Sequence, residues 1–150
     1  MQASGIRRPW TTSGAVVKAL TALHARTVVI IHPYAADVAD RLAVFLADAG
    51  IDVVAGTRID VPVTEVDSID ATSLTDLVLG TDLTYADAVF ISCTNVPTYD
   101  VIAPLELQLG IPVVTANQAG MWATLRAVGM RACGPGQALL ATSQPSSRRI

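Results

Sequence analysis

Four short apolar runs, rich in β-branched residues, alternate along the chain with segments of helical periodicity. These runs cover residues 27–31, 51–55, 88–92 and 111–115. Runs of this length and composition predict β-strands, and continuous apolar character is typical of strands that are buried on both faces. Because strands and helices alternate, we expect an α/β fold, with a doubly wound, mainly four-stranded parallel sheet flanked by helices.

The segments between the runs carry apolar residues three or four positions apart, which is the spacing of an amphipathic helix. Over residues 35–49, Val38 and Leu42 follow this spacing, and Gly50 marks a C-terminal stop. We expect Asn117 to open the last helix. The predicted helices cover residues 11–25, 35–49, 74–79, 101–109 and 118–128.

The length of 150 residues favours a single domain with a substantial core. We expect an irregular leader over residues 1–10, one α/β lobe over 11–130 and an irregular tail over 131–150. The tail is rich in Gly, Pro, Ser and Arg, so the periodic pattern ends there. The leader carries two arginines without an apolar stretch after them, so no signal peptide is expected.

Composition excludes several classes of protein. The net charge is -3 with only ten basic residues, which argues against nucleic acid or an anionic membrane surface as a partner. Apolar residues make up 51% of the chain, yet no run approaches the roughly 18 apolar residues of a membrane span. The two cysteines are too few for a disulfide scaffold, so we expect reduced thiols and a cytoplasmic location. His24 and His32 have no ligand spacing, so we expect no metal site.

A thiol stands at the end of the third predicted strand, where Cys93 is followed by Thr94 and Asn95. Open α/β sheets bind ligands in the crevice outside the carboxyl ends of their strands. Free cysteines often pack passively in cores. Here, however, polar residues flank the thiol, and a following helix can direct backbone N–H groups at the sulfur, which favours the thiolate. We therefore expect a functional role for Cys93.

Other polar residues are predicted to share this edge of the sheet. Thr94 and Asn95 either offer donors to a carboxylate, as an oxyanion hole does, or cap the next helix. Tyr34 follows the first strand and offers a phenol, while Asn117 follows the fourth and either faces the crevice or caps a helix. Apart from Arg58, no basic residue is expected nearby. A small carboxylate held by neutral donors therefore fits better than a phosphate.

Three segments carry a family resemblance: ISCTN at 91–95, TYDVIAPLE at 98–106 and GIPVVTANQA at 110–119. They resemble the second half of the aspartate/glutamate racemase superfamily, in the branch of maleate cis-trans isomerase and arylmalonate decarboxylase. The resemblance extends from residue 11 to about residue 129. It implies one lobe of a fold in which two α/β lobes face each other across the active site, and it implies no cofactor.

The resemblance also implies roles for individual residues. Cys93 would transfer a proton at a carbon next to a carboxylate of a small carboxylic or dicarboxylic acid. Tyr34 and the Cys93–Thr94 backbone would bind the substrate carboxylate. The other residues expected to contribute to substrate binding are Thr12, Ser13, Thr64, Asn95 and Asn117.

The family's first lobe is absent from this chain, so two hypotheses stay open. In the first, the protein is an isomerase, racemase or decarboxylase that acts on a small carboxylate. In the second, it is a catalytically inactive half-length remnant or a carboxylate-binding module. Either way we expect a homo-oligomer or association with a missing lobe, through an apolar face. A flavodoxin-like receiver or nucleotide binder is disfavoured, because His32, Pro33 and Tyr34 stand where such proteins need an acidic pocket or a glycine loop.

Overall fold

A four-stranded parallel sheet forms the centre of the computed structural model, which describes residues 11–134 and 136–142. The spatial order of the strands is β2-β1-β3-β4. The strands are β1 Thr27–His32, β2 Asp52–Arg58, β3 Ala88–Ile91 and β4 Val113–Thr115. The helices are α1 Thr12–Ala22, α2 Ala36–Asp48, α3 Ala71–Leu79, α4 Tyr99–Leu109, α5 Ala116–Ala127 and α6 Ala138–Ala141, with a 3-10 helix at Val63–Ser68.

Helices cover both faces of the sheet, which confirms the predicted doubly wound α/β fold. Val28 and Ile30 of β1 pack into a core cluster with α1, α2 and α5. Val29 and Ile31, which point the other way, pack into a second cluster with α3 and α4. In this strand order the chain reverses its winding between β1 and β3, and ligands of such sheets bind at that switch point.

The two ends of α1 are set by hydrogen bonds. Thr11 caps the N-terminus, because its side-chain oxygen accepts from the Gly14 N–H at 3.0 Å. At the other end the helix stops at Ala22, three residues earlier than predicted. His24 has a φ of 59° there, and the Ala25 N–H donates back to the Leu20 carbonyl at 3.0 Å. This is a Schellman motif, in which His24 takes the left-handed position that glycine usually holds.

Strand β2 differs from the prediction of a strand buried on both faces. It lies at the edge of the sheet, and its residues alternate between exposed and half-buried. The register against β1 shifts, so that Val28 pairs with Val53 but Val29 pairs with Ala55. Val54 is the extra residue of this bulge, which is a common feature of sheet edges.

The start of α5 also differs from the prediction, since Asn117 does not open that helix. Thr115 is the N-cap, and it forms a capping box with Gln118. The Thr115 side chain accepts from the Gln118 N–H at 3.3 Å, and Gln118 accepts in return from the Thr115 N–H at 3.4 Å. A threonine in extended backbone at the end of β4 satisfies two donors in this way, and Asn117 falls inside the helix.

Part of the segment expected to be an irregular tail is ordered against the core. The short helix α6 buries Leu139 completely. The Glu106 carboxylate of α4 accepts from the Val113 N–H at 2.9 Å and from the Ala138 N–H at 2.7 Å, and so joins α4, β4 and α6. The expected leader, residue 135 and residues 143–150 lie outside the described residues. Among the described helices, none is long and apolar enough to cross a membrane.

Candidate active site

A cleft of about 400 Å³ opens where β1 and β3 end, and α1 and α2 form its other walls. Five of the residues predicted from the sequence line it together. These are Thr12, Ser13, Tyr34, Cys93 and Thr94. Most of the remaining lining is apolar and comes from α1, α2 and β3, so a polar ligand in the cleft would meet a few donors in a surface of low polarity.

Cys93 has an unusual backbone conformation at this edge of the sheet. Its φ is 96°, in the region that residues with a side chain rarely adopt. The thiol is free and half-buried. Strained backbone of this kind persists only where its surroundings hold it, and it clusters at functional sites.

Tyr34 is joined to the residue before Cys93. Its hydroxyl lies 3.0 Å from Ser92 Oγ, and either atom can donate. Burial raises the pKa of Tyr34 above its ordinary 10.0; the hydrogen bond with Ser92 opposes this shift and the nearby charge of Cys93 adds to it. Tyr34 is therefore protonated at neutral pH, and when Ser92 donates to the phenol oxygen, the phenol proton is available to a ligand.

The sequence reasoning missed His32 and Ser92. His32 ends β1 and is only 7% exposed. Its Nδ1 accepts from the Tyr34 N–H at 3.2 Å, and its ring stacks on the Tyr34 ring. The strand pattern could have predicted Ser92. Side chains alternate along β3, so Ser92 lies on the same face as Phe90, toward α1 and α2.

Asn117 lies next to the Cys93 turn but does not line the cleft. Its Nδ2 donates to the Thr94 carbonyl at 2.8 Å, and its side chain borders a separate cavity of about 600 Å³. Asn95 is exposed and also lies outside the cleft lining. Neither Thr94 nor Asn95 caps α4, whose N-cap is Thr98.

Thr64 is likewise exposed and outside the cleft lining. The cause is the course of the chain after β2. The 3-10 helix that carries Thr64 packs through Val66 into the cluster on the α3 and α4 side of the sheet. The cleft lies on the opposite side, toward α1 and α2.

A cation lines the cleft, contrary to the expectation that only Arg58 would lie near these residues. Arg41 of α2 belongs to the cleft wall. Its Nη2 lies 3.9 Å from Asp37 Oδ2, and both side chains are largely exposed, so this pair is weak. The helical spacing of Val38, Leu42 and Phe45 held the signal, because Arg41 falls beside that apolar stripe.

The groups that could ligate a metal are dispersed. Within residues 11–134 and 136–142, no group of three or more His, Cys, Asp or Glu side chains is placed to hold a metal ion. His24 and His32 lie near opposite ends of β1, and Cys133 is an exposed free thiol.

Residues 2–141 match the sequence model of a family described as arylmalonate decarboxylase. The chain belongs to the arylmalonate decarboxylase family. This confirms the resemblance found in the sequence and extends it at both ends, beyond the stretch from residue 11 to about residue 129.

Two relatives show how much of a family member the chain represents. It is 36% identical over 134 residues to an arylmalonate decarboxylase of Bordetella bronchiseptica, covering 85% of this chain and 54% of the relative. It is 30% identical over 132 residues to a maleate isomerase of Pseudomonas putida, covering 87% and 53%. The chain thus spans about half the length of the curated relatives it matches.

Solved structures agree with the family assignment. A crystal structure of arylmalonate decarboxylase superposes with a TM-score of 0.81 at 32% identity, covering 89% of this chain and 60% of that one. A maleate cis-trans isomerase of Nocardia farcinica superposes with a TM-score of 0.84 at 26% identity, covering 95% and 60%. That isomerase is a Cys-to-Ser variant with a covalently bound succinylcysteine intermediate.

Proposed function

We propose that the protein is a cofactor-independent isomerase, racemase or decarboxylase that acts on a small carboxylic or dicarboxylic acid, with Cys93 as the proton-transfer group. The main support for this proposal is the position of Cys93, which lies in a strained turn and lines the same cleft as Tyr34. Membership of the arylmalonate decarboxylase family supports the choice of substrate class. The cytoplasmic location stays a prediction.

The thiol can close the proton balance of a decarboxylation and of a racemisation. In a decarboxylation, the bond from the α-carbon to one carboxylate breaks and CO₂ leaves. The electron pair stays on the α-carbon, next to the remaining carboxylate, and the Cys93 S–H donates its proton to that carbon. The resulting thiolate takes a proton from water. In a racemisation, a thiolate first removes the α-proton and a group on the opposite face returns one.

Neutral donors in the cleft fit the remaining carboxylate. The Tyr34 hydroxyl is protonated, Tyr34 lines the same cleft as Cys93, and Thr94 follows in the same turn. Thr12 and Ser13 bring the first turn of α1 to the cleft, where the N-terminal partial charge of the helix favours an anion. Donors fixed before the reaction, in a surface of low polarity, stabilise charge that develops on a carboxylate.

The chain supplies one wall of the proposed pocket. Proton transfer on both faces of a carbon needs groups on opposite sides, and the relatives are about twice as long as the matched segment. We propose that a second copy or a separate lobe closes the cleft from the open side.

Turnover in D₂O tests this function. The assembled protein is incubated with phenylmalonate or maleate, and ¹H NMR follows loss of the acid, isomerisation and deuterium at the α-carbon. The wild type and C133S are expected to react, whereas C93S is not. A C93S protein as active as the wild type, or no reaction of either acid with the wild type, would overturn the catalytic proposal.

One observation favours the alternative, a carboxylate-binding module that assembles without turnover. Val38 and Phe45 of α2 line the cleft and are 42% and 41% exposed, which is typical of an interface.

Sedimentation velocity with F45E and L107E locates that interface. Leu107 of α4 is 88% exposed and lies on the other side of the sheet. We expect F45E to dissociate an oligomer and L107E to leave it intact; a monomeric wild type contradicts self-association.

A further inference from the structure

We infer that His32 is a positioning residue, which as the neutral imidazole holds Tyr34 in place for a carboxylate in the Cys93 cleft. This inference rests on the proposed role of Tyr34 in binding that carboxylate. It assigns a task to a buried polar residue that the proposed chemistry itself does not use.

Two contacts join His32 to Tyr34. The imidazole Nδ1 accepts from the Tyr34 backbone N–H at 3.2 Å. The two rings stack with centroids 5.6 Å apart and planes only 13° from parallel. Pro33 stands between them and fixes its own φ, so the turn from β1 to Tyr34 has little freedom. The imidazole therefore holds both the backbone and the ring of Tyr34.

Tyr34 passes this constraint on to the Cys93 turn. Its hydroxyl lies 3.0 Å from Ser92 Oγ, and Ser92 is the residue before Cys93. The Ser92 N–H in turn donates to the Ile31 carbonyl at 2.8 Å, which extends the pairing of β1 and β3. A shift of the Tyr34 backbone would thus change where its phenol proton points relative to the thiol.

The neighbouring strand β2 lies against the imidazole, and its arginine opposes protonation. On β2, a Cβ atom at Gly56 would lie 3.8 Å from His32 Nε2 and only 3.2 Å from Ile30 Cγ1. Arg58 is the register partner of His32 on the same strand. Burial first, and the Arg58 charge second, lower the pKa of His32 from 6.5. Tyr34 stacks on the imidazole, and Cys93 in turn acts on the Tyr34 phenol.

Protonation would break the contact with Tyr34. A proton on Nδ1 would face the Tyr34 N–H, so two donors would meet where one bond now exists. Acidification is therefore expected to release Tyr34 and to weaken carboxylate binding. Acidification is expected to lower the stability of the folded protein as well. Since the folded-state pKa is depressed, the unfolded chain takes up the proton first, and stability falls as pH drops below 6.5 toward the folded value.

Two substitutions of His32 separate its role as a hydrogen-bond acceptor for the Tyr34 N–H from its ability to titrate. Asn in H32N places an amide oxygen near the Nδ1 position and does not titrate. Gln in H32Q has similar polarity, but its longer chain carries the amide away from the Tyr34 N–H. If His32 only filled space, H32N and H32Q would bind the acid equally well, and H32N would keep the pH dependence of the wild type.

The first measurement is the protection of Cys93 against iodoacetamide by phenylmalonate, from about pH 5.5 to about pH 8, the range in which imidazoles titrate. In the wild type we expect the apparent Kd to rise as the pH falls. H32N is expected to lose that rise, and H32Q to bind about tenfold more weakly at the alkaline end, which is the loss of one hydrogen bond. A wild-type pH profile in H32N, or wild-type affinity in H32Q, would overturn the inference.

A second measurement does not need the ligand. In ¹⁵N-labelled wild type, the Tyr34 amide resonance is expected to shift with the same midpoint as the His32 ring protons, and not to shift in H32N. A Tyr34 amide resonance that does not shift as His32 titrates overturns the inference. Absence of protection at every pH, together with a coupled Tyr34 amide, instead contradicts the proposed function and leaves the His32–Tyr34 contact established.

Discussion

The backbone at Cys93 is held from both sides. Before it, the Ser92 N–H donates to the Ile31 carbonyl at 2.8 Å. After it, the Thr94 carbonyl accepts from the Asn117 side chain at 2.8 Å. These bonds fix a turn whose central residue has a φ of 96°. The strain is thus maintained by β1 and by α5, two elements far from Cys93 in the sequence.

Glycine at this position should release the strain. We expect C93G to have a free energy of unfolding about 1 kcal/mol higher than C93A, because alanine keeps the Cβ that disfavours positive φ. Urea denaturation of the two variants measures the difference, and neither has the thiol. Equal stabilities of C93G and C93A would mean that the turn is unstrained.

At the residue scale, the sequence predicted which groups meet at the edge of the sheet better than how they meet. Strand ends located Tyr34, Cys93 and Thr94. The bond between Tyr34 and Ser92, and that between Asn117 and Thr94, join residues 58 and 23 positions apart. Such bonds depend on turn geometry after the strands, and no local pattern encodes that geometry.

At the scale of elements, the types of the main helices and strands were predicted, and several of their ends were not. Apolar periodicity depends on burial, so it marks the body of α2 or β3 reliably. The ends depend on single hydrogen bonds. His24 ends α1 in a conformation more common for glycine, and Thr115 rather than Asn117 caps α5. The bulge that makes β2 an irregular edge strand likewise has no signature in its apolar run.

Glu106 is expected to be the main anchor between elements on the C-terminal side. Its carboxylate accepts from the first N–H of both β4 and α6. Removing it leaves two donors without an acceptor, so E106A should lower the free energy of unfolding by roughly 2–4 kcal/mol. E65A, at an exposed glutamate of the 3-10 helix, should change it by less than about 0.5 kcal/mol. Thermal or urea unfolding that fails to separate E106A from E65A would contradict this anchoring role.

The pH dependence from Glu106 has the opposite sign to that from His32. Burial raises the pKa of Glu106 above 4.5, and the two backbone hydrogen bonds only partly offset this shift. Because the folded state binds the proton more tightly, this contribution is present in acid and is lost as pH rises from 4.5 through the folded pKa. Urea midpoints in this window should therefore depend less on pH in E106Q than in the wild type.

The arginine on α2 offers a test of which acids the cleft prefers. Arg41 borders the cleft and is only weakly paired with Asp37. We expect R41Q to weaken the binding of dicarboxylates more than that of monocarboxylates, and added salt to reduce the difference. R131Q, at an exposed arginine outside the cleft, is the control. An equal loss of affinity for both classes of acid would show that Arg41 does not bind the second carboxylate.

At the scale of the whole molecule, the fold class followed from the alternation of strands and helices, and the family followed from three short segments. The strand order places the winding reversal between β1 and β3, and the cleft opens there. Helical spacing puts Arg41 beside the apolar stripe of α2, but sequence alone could not place that stripe against the cleft or exclude Thr64 from it. Both depend on which face of the sheet a segment packs against. The exposed apolar residues of α2 border the same cleft, so binding and assembly are expected to be linked.

Alkylation of the two cysteines in one chain tests the central claim most directly. Peptide mass spectrometry after iodoacetamide treatment, with and without phenylmalonate or maleate, reports both sites, and exposed Cys133 is the internal control. We predict that at least one of these acids slows the alkylation of Cys93 at neutral pH and leaves that of Cys133 unchanged. Unchanged alkylation of Cys93, or equal slowing at both cysteines, would contradict a carboxylate site at Cys93.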